Sequence, residues 1–383
     1  MNTAAAIEIL ESLVSFDTTS RNSNLPIIDY IADYLVGHGV QSFRVPDETG
    51  QKSSLFATIG PDKAGGVGLS AHTDVVPVDG QDWETNPFTL VQKDGKLYGR
   101  GACDMKGFLA CILAAVPDFK RRNLKVPIHL VLSYDEEVGC TGVRPMIHEF
   151  GTRLTKPRMV IVGEPTGMNV VDAQKGPARW HVTVTGKPVH SSMAHLGANA
   201  IMAAGELLAE LALIEEELKQ APRNERFEPP YTTLQVTQID GGAASNIVPE
   251  RAWFSWEIRG LPGVNADQIE ARFRTKADAI SARMKEAAPE AGVEVVRWNH
   301  VPAFTADPDS EVLSLALKLA EQNDTHAAPY ATEASLFHAA GMPSVVCGPG
   351  DIAQAHTPNE WIDQGELDQC LKFLSRLADW AED

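Results

Sequence analysis

The chain has 383 residues, more than one hydrophobic core usually organises, so two structural units are expected. Its composition, 44% hydrophobic and 22% charged, excludes the disordered, collagen-like and disulfide-scaffold classes. With 33 basic against 51 acidic residues the net charge is −18, and the acids are spread along the chain, which argues against nucleic acid or anionic membrane as a partner.

The N-terminal stretch reads as an amphipathic helix. Glu8 and Glu11 interrupt its apolar residues and no basic segment precedes them, so it is a poor signal peptide. No apolar run reaches the ~18 residues that span a bilayer, and Phe108 to Val116 is short enough to be a buried helix. Five cysteines without a C-x-x-C pair suit a reducing compartment, and the expected location is the cytoplasm.

From the N-terminus to about Gly176 helical and strand patterns alternate. Ile7, Leu10 and Leu13, then Ile27, Ile31 and Leu35, mark helices, whereas Val67 to Ala71, Ile128 to Ser133 and Met159 to Val162 are apolar strands. Such strands separated by helices predict a largely parallel α/β sheet covered on both faces. The segment Leu90 to Gly101, centred on Asp94-Gly95, predicts a hairpin added to that sheet. Between about Ala178 and Val296 the order becomes strand, helix, strand, strand, helix, strand, a ferredoxin-like βαββαβ unit. The first rhythm then resumes with a helix from Ser310, a strand from Pro343 and a last helix from Gln364. Residues 1–177 and 297–383 are thus expected to form one α/β domain, interrupted by an inserted domain at 178–296.

Potential metal-binding side chains recur just beyond apolar strands (His72, Glu136, Glu137 and Glu164) and, for Asp104, just beyond the hairpin. Asp104 lies 32 residues after His72, Glu136 lies 32 after Asp104, and Glu164 lies 28 after Glu136. A βαβ unit takes about 30 residues, so these intervals can return successive strand ends to one edge of the sheet, where open α/β sheets place their sites. His356, beyond the insertion, can join them. Taken singly, His72 could be structural, Asp104 a helix cap, and Glu136 with Glu137 a solvated loop. Together, imidazole and carboxylate without thiolate describe an open metal site that can hold two ions with a shared carboxylate. Glu136 and Glu137 are neighbours and point differently, leaving one to bind metal and the other free as a base. An extended backbone at His72-Thr73-Asp74 would let the Asp74 side chain accept the second ring N–H of His72.

SAHTDVVPV, GRGACDMKG, DEEVGCTG, VGEPT, GKPVHSS, GGAASNIVPE, EIRGLPG and GPGDIAQAHTPNE, running from residue 70 to 360, resemble the acetylornithine deacetylase and succinyl-diaminopimelate desuccinylase family of zinc amidohydrolases, which includes aminoacylases. The resemblance is closest to the acetylornithine deacetylase branch. It implies a zinc-peptidase-like catalytic domain with an inserted domain that dimerises, a homodimer, and two divalent ions, zinc or cobalt. His72 and Glu164 would bind one ion, Glu137 and His356 the other, and Asp104 would bridge them. Glu136 would be the general base, and His190 would donate to the oxyanion of the neighbouring subunit's site. Arg259 and Asn246 would bind the carboxylate of a small N-acyl amino acid, and Glu333 or Asp351 the cationic side chain of ornithine. The Asp104-Met105 peptide bond would be cis. Desuccinylase, aminoacylase and dipeptidase specificities remain as alternatives, as does a catalytically inactive binding protein of the same fold.

Overall fold

The computed structural model describes residues 1–383 and divides into two compact units. The larger comprises Met1–Ala173, Thr305–His326 and Thr332–Asp383, and the smaller Gln174–Phe304 with Ala327–Ala331. The smaller unit therefore begins earlier and ends later than the βαββαβ pattern alone suggests.

The nine-stranded main sheet, most of it in the larger unit, is mixed. Its order is Ser42–Pro46, Ser53–Ile59, Ile128–Ser133, Val67–His72, Met159–Val162, Ser344–Val346, then Val171–Gln174 and Phe304–Thr305, with His326–Ala328 pairing beside Val171–Gln174. The four central strands are parallel. The pairings Ser42–Pro46 with Ser53–Ile59, and Ser53–Ile59 with Ile128–Ser133, are antiparallel. Every residue of Val67–His72, Ile128–Ser133 and Met159–Val162 is buried, as strands covered on both faces require. The covering helices are cut to that purpose. In Gln364–Glu382, Leu367, Leu371, Leu374 and Ala378 share one buried face, and the Asp363 side chain caps the first turn by accepting from Gly365 N.

The hairpin forms where expected, across Val91–Lys93 and Lys96–Tyr98. Asp94 and Gly95 both have positive φ (51° and 77°), the requirement of a tight type I′ turn. It does not extend the main sheet. Its partner is Trp361–Asp363, and the three strands form a sheet of their own. The expectation failed because the turn chemistry fixes a hairpin but not its neighbour.

The smaller unit has a four-stranded antiparallel sheet in the order Thr233–Gly241, Arg251–Gly260, Gly176–Thr185, Gly292–His300, with helices Ala200–Gln220 and Ala266–Ala287. Buried and half-buried residues alternate along Arg251–Gly260, as a sheet covered on one face demands. Trp180 and Trp256 stack at 3.9 Å and 9° in its core, against Phe254 and Phe273. No helix of the chain is long and apolar enough to cross a membrane.

Candidate metal centre

The parallel strands deliver the site. His72 is the last residue of Val67–His72, Glu136 and Glu137 follow Ile128–Ser133, and Glu164 follows Met159–Val162, all at carboxyl ends. Two glycines allow the close packing beneath. A Cβ on Gly163 would lie 1.9 Å from the Phe108 ring, and one on Gly348 would lie 2.1 Å from the Gly163 carbonyl, so neither position admits a side chain. Asp104 sits in the turn entering helix Gly107–Arg121, where the Asp104-Met105 bond is cis as the resemblance implied.

The Asp104 carboxylate lies between the two histidines, with Oδ1 3.1 Å from His72 Nε2 and Oδ2 3.0 Å from His356 Nε2. Glu164 Oε1 is 3.8 Å from His72 Nε2, and both Glu137 oxygens are 3.1 Å from His356 Nε2. Donor atoms of His72, Glu136 and Glu164 lie within 4.8 Å of one another, as do those of His72, Asp104 and Glu137. Ligand atoms at ordinary zinc distances around a tetrahedral ion stand roughly 3.0–3.5 Å apart, so the closest of these separations, which here are direct hydrogen bonds, also fit a metal shell.

Electrostatics leads to the same conclusion. Burial, reinforced by surrounding carboxylates, pushes Glu136 and Glu164 well above the carboxylate range and Glu137 up to about 7. Burial alone would lower His72, but its hydrogen bond to Asp104 and the charges of Glu164, Asp104 and Asp74 hold it well above its ordinary value. Hydrogen bonds to Asp104 and Glu137 lift His356 to about 11. Burial would raise Asp104 too, yet the two histidines together hold it below the carboxylate range. Glu136, Glu137 and Glu164 are raised while Asp104 is lowered and both imidazoles are raised, so the buried acids outnumber the cations that face them, an excess of negative charge that a divalent ion would offset. The donors are oxygen and imidazole nitrogen, which suits a divalent ion. The neighbouring thiols of Cys103 and Cys140 are raised by burial and stay protonated.

Asp74 acts differently from the expectation. The second ring nitrogen of His72 donates to the Asp74 main-chain carbonyl at 2.9 Å, while the nearest carboxylate oxygen is 3.6 Å away. The strand ends at His72, so the same-face rule for alternate residues does not reach Asp74. Its carboxylate instead accepts from Ser20 Oγ (2.7 Å), Glu136 N (3.1 Å) and Glu137 N (3.3 Å), holding the two glutamates from behind. Cys140 Sγ also contacts Glu136 Oε1, at 3.2 Å.

Glu333 is 1% exposed, with Oε2 accepting from Ser70 Oγ at 3.2 Å. Burial pushes it up to about 7. Asp351 caps the turn Ile352–Gln354. His190, Asn246 and Arg259 belong to the smaller unit. Ser191 N donates to the Asn246 carbonyl at 2.9 Å, which joins the first two segments, and Arg259 Nε donates to Glu257 at 3.2 Å from strand Arg251–Gly260. Sequence reasoning overlooked Glu360, which accepts from the main chain of Asp104 at 3.0 Å. The only hint was its place in the HTPNE segment.

Known proteins resemble this chain over nearly its whole length. Residues 68–380 match Peptidase family M20/M25/M40. An acetylornithine deacetylase from Myxococcus xanthus is 37% identical over 374 residues, covering 96% of this chain and 95% of the relative. One from Proteus mirabilis is 32% identical over 370 residues, covering 96% and 93%. Among solved structures, an M20 family metallo-carboxypeptidase from Sulfolobus solfataricus superposes with a TM-score of 0.78 at 19% identity, covering 100% of each chain. A tripeptidase from Staphylococcus aureus gives 0.77 at 19% identity, covering 100% of this chain and 99% of the other.

Proposed function

The chain belongs to peptidase family M20/M25/M40, with the zinc-peptidase-like α/β fold of that family, and from this premise we propose that it hydrolyses the amide bond of an N-acyl amino acid, N-acetyl-L-ornithine foremost. The observation that carries the proposal is the Asp104 carboxylate shared between His72 and His356, flanked by Glu164 and Glu137. His72 and Glu164 would hold one divalent ion and Glu137 and His356 the other, with Asp104 between them, and zinc is the ion we assign. Bound there, the ions would acidify a water and polarise the scissile carbonyl.

Glu136 takes the proton from the attacking water and returns it to the departing amine, giving acetate and ornithine, the precursor of arginine. Asp74 and Cys140 keep the Glu136 carboxylate and its backbone in place. Arg259 and Asn246 are assigned to the substrate carboxylate, for which a planar guanidinium is suited. Glu333 is assigned to the ornithine side chain, although its burial against Ser70 gives it a structural task as well. The smaller unit, at residues 178–296 and their flanks, is assigned to dimerisation in a cytoplasmic homodimer, with His190 donating to the oxyanion of the neighbouring subunit's site. Its strand Thr233–Gly241 supports this, being an exposed sheet edge that carries Val236 and Ile239.

The substrate is tested by kcat/KM on N-acetyl-L-ornithine, N-succinyl-L-diaminopimelate and N-acetyl-L-methionine with zinc and with cobalt. The first should win, and a higher value for either other compound reassigns the specificity. Mixing exchanged Glu136→Gln and His190→Ala subunits should restore activity, because each hybrid has one intact site. No recovery after proven exchange removes the role of His190 across the dimer.

A further inference from the structure

Asp104 and His356 meet at the centre of the site, yet they stand on two loops far apart in sequence, and neither loop is a strand. Glu360 gathers the first of them. It is 1% exposed, and its two oxygens accept four hydrogen bonds: Oε2 from Arg100 Nη1 (2.7 Å) and Gly101 N (3.0 Å), Oε1 from Cys103 N (2.8 Å) and Asp104 N (3.0 Å). Three amides of one turn and a guanidinium thus converge on one buried carboxylate, and the amide of Asp104 is among them.

The second loop is tied to the same pair. Arg100, also 1% exposed, donates its other terminal nitrogen to Gln81 Oε1, and Gln81 Nε2 donates to the His356 carbonyl at 2.9 Å. His356 has φ 62°, a left-handed conformation that side-chain-bearing residues rarely adopt, so its backbone needs a partner to hold it. Glu84 N, donating to Asn359 Oδ1 at 2.8 Å, adds a second tie between the same loops.

We propose that Gln81, Arg100 and Glu360 form a clamp that sets the positions of Asp104 and His356 and thereby the affinity of the metal centre. They are positioning residues: none offers a donor atom to the ions. The division of labour is specific. Glu360 acts on Asp104, which faces both histidines, and so on both ions. Gln81 acts on His356, and so on one. The inference rests on the two-ion site proposed above.

The test is competition between the metal-stripped protein and a chromophoric chelator for zinc, with unfolding of the metal-free protein followed alongside. Wild type should bind two equivalents. Gln81→Leu should keep one equivalent at wild-type affinity and weaken the other about 10–100-fold, the usual range for residues that orient metal ligands. It should lose the same equivalent as His356→Ala, and the double variant should lose no more. Glu360→Gln should weaken both equivalents. The metal-free Gln81→Leu protein should melt lower, because buried Arg100 loses an acceptor. Gln81→Glu keeps that acceptor, removes only the donor to the His356 carbonyl and should weaken the same equivalent, which separates a lost clamp from a damaged fold. Wild-type affinity for both ions in Gln81→Leu, or equal weakening of both, overturns the clamp. Fewer than two equivalents in wild type overturns the two-ion site instead, and Glu360→Gln still tests the clamp on whatever ion is bound: unchanged affinity there refutes it.

Discussion

In the larger unit seven acids (Asp74, Asp104, Glu136, Glu137, Glu164, Glu333 and Glu360) are buried or half-buried at or near the metal centre, Arg100 is buried against Glu360, and burial has pulled the Lys106 amine down to about 7. In the core of the smaller unit, Trp180 and Trp256 stack among Phe254, Phe273 and aliphatic side chains with no ionised group between them. The first region gives up stability to concentrate charge where ions and a base are needed, since buried like charges repel and lose hydration. The second gains stability by removing apolar surface from water. Substitutions in the two should therefore separate cleanly, activity and metal binding following one and folding the other.

The largest effect is expected at Glu136. Glu136→Gln should lower kcat by about 10²–10⁴-fold, the range for a lost general base, while metal content stays unchanged and the metal-free protein melts no lower than wild type. An active Glu136→Gln protein would break the assignment of the charged region to chemistry. Trp256→Ala, in the other region, should cost about 3–5 kcal/mol in calorimetric unfolding, yet leave zinc stoichiometry intact. Trp256→Phe should cost less, because the Trp256 indole N–H has no partner to lose.

Zinc removal should be the mirror of that result. Ions that bind only the folded protein stabilise it by about 2.7 kcal/mol at a hundred times the dissociation constant, so chelation should lower the melting of the larger unit. If calorimetry resolves two transitions, the one shifted by Trp256→Ala should be indifferent to chelator. A single transition moved by both treatments would show that the units unfold together.

The smallest effect concerns His129, buried outside the site and bonded to the Gly65 carbonyl at 2.7 Å. Burial lowers its pKa below 6.5, so the unfolded chain takes up its proton more readily than the folded one. Stability should be intact above pH 6.5 and decline as the pH falls from there toward the lowered folded value. His129→Gln should flatten this slope in denaturant titrations, and an unchanged slope would assign it to other groups.

Much of this was written in local pattern. Apolar strands of four to six residues, helical spacing and the Asp94-Gly95 turn are properties of short segments, so the elements and the βαββαβ order follow from the sequence directly. The same holds for His72, Glu136, Glu137 and Glu164, because the length of a βα unit returns each to the same sheet edge, whereas Asp104 comes from the turn entering helix Gly107–Arg121. Tertiary structure decided what depends on distant partners. It gave the hairpin Trp361–Asp363 as its neighbour, turned the Asp74 carboxylate from His72 to the amides of Glu136 and Glu137, and buried Glu333 against Ser70. It also brought Glu360 to Asp104 across 256 residues, a hydrogen bond whose donor and acceptor no periodicity links, and which exists only once the chain has closed around its own charge.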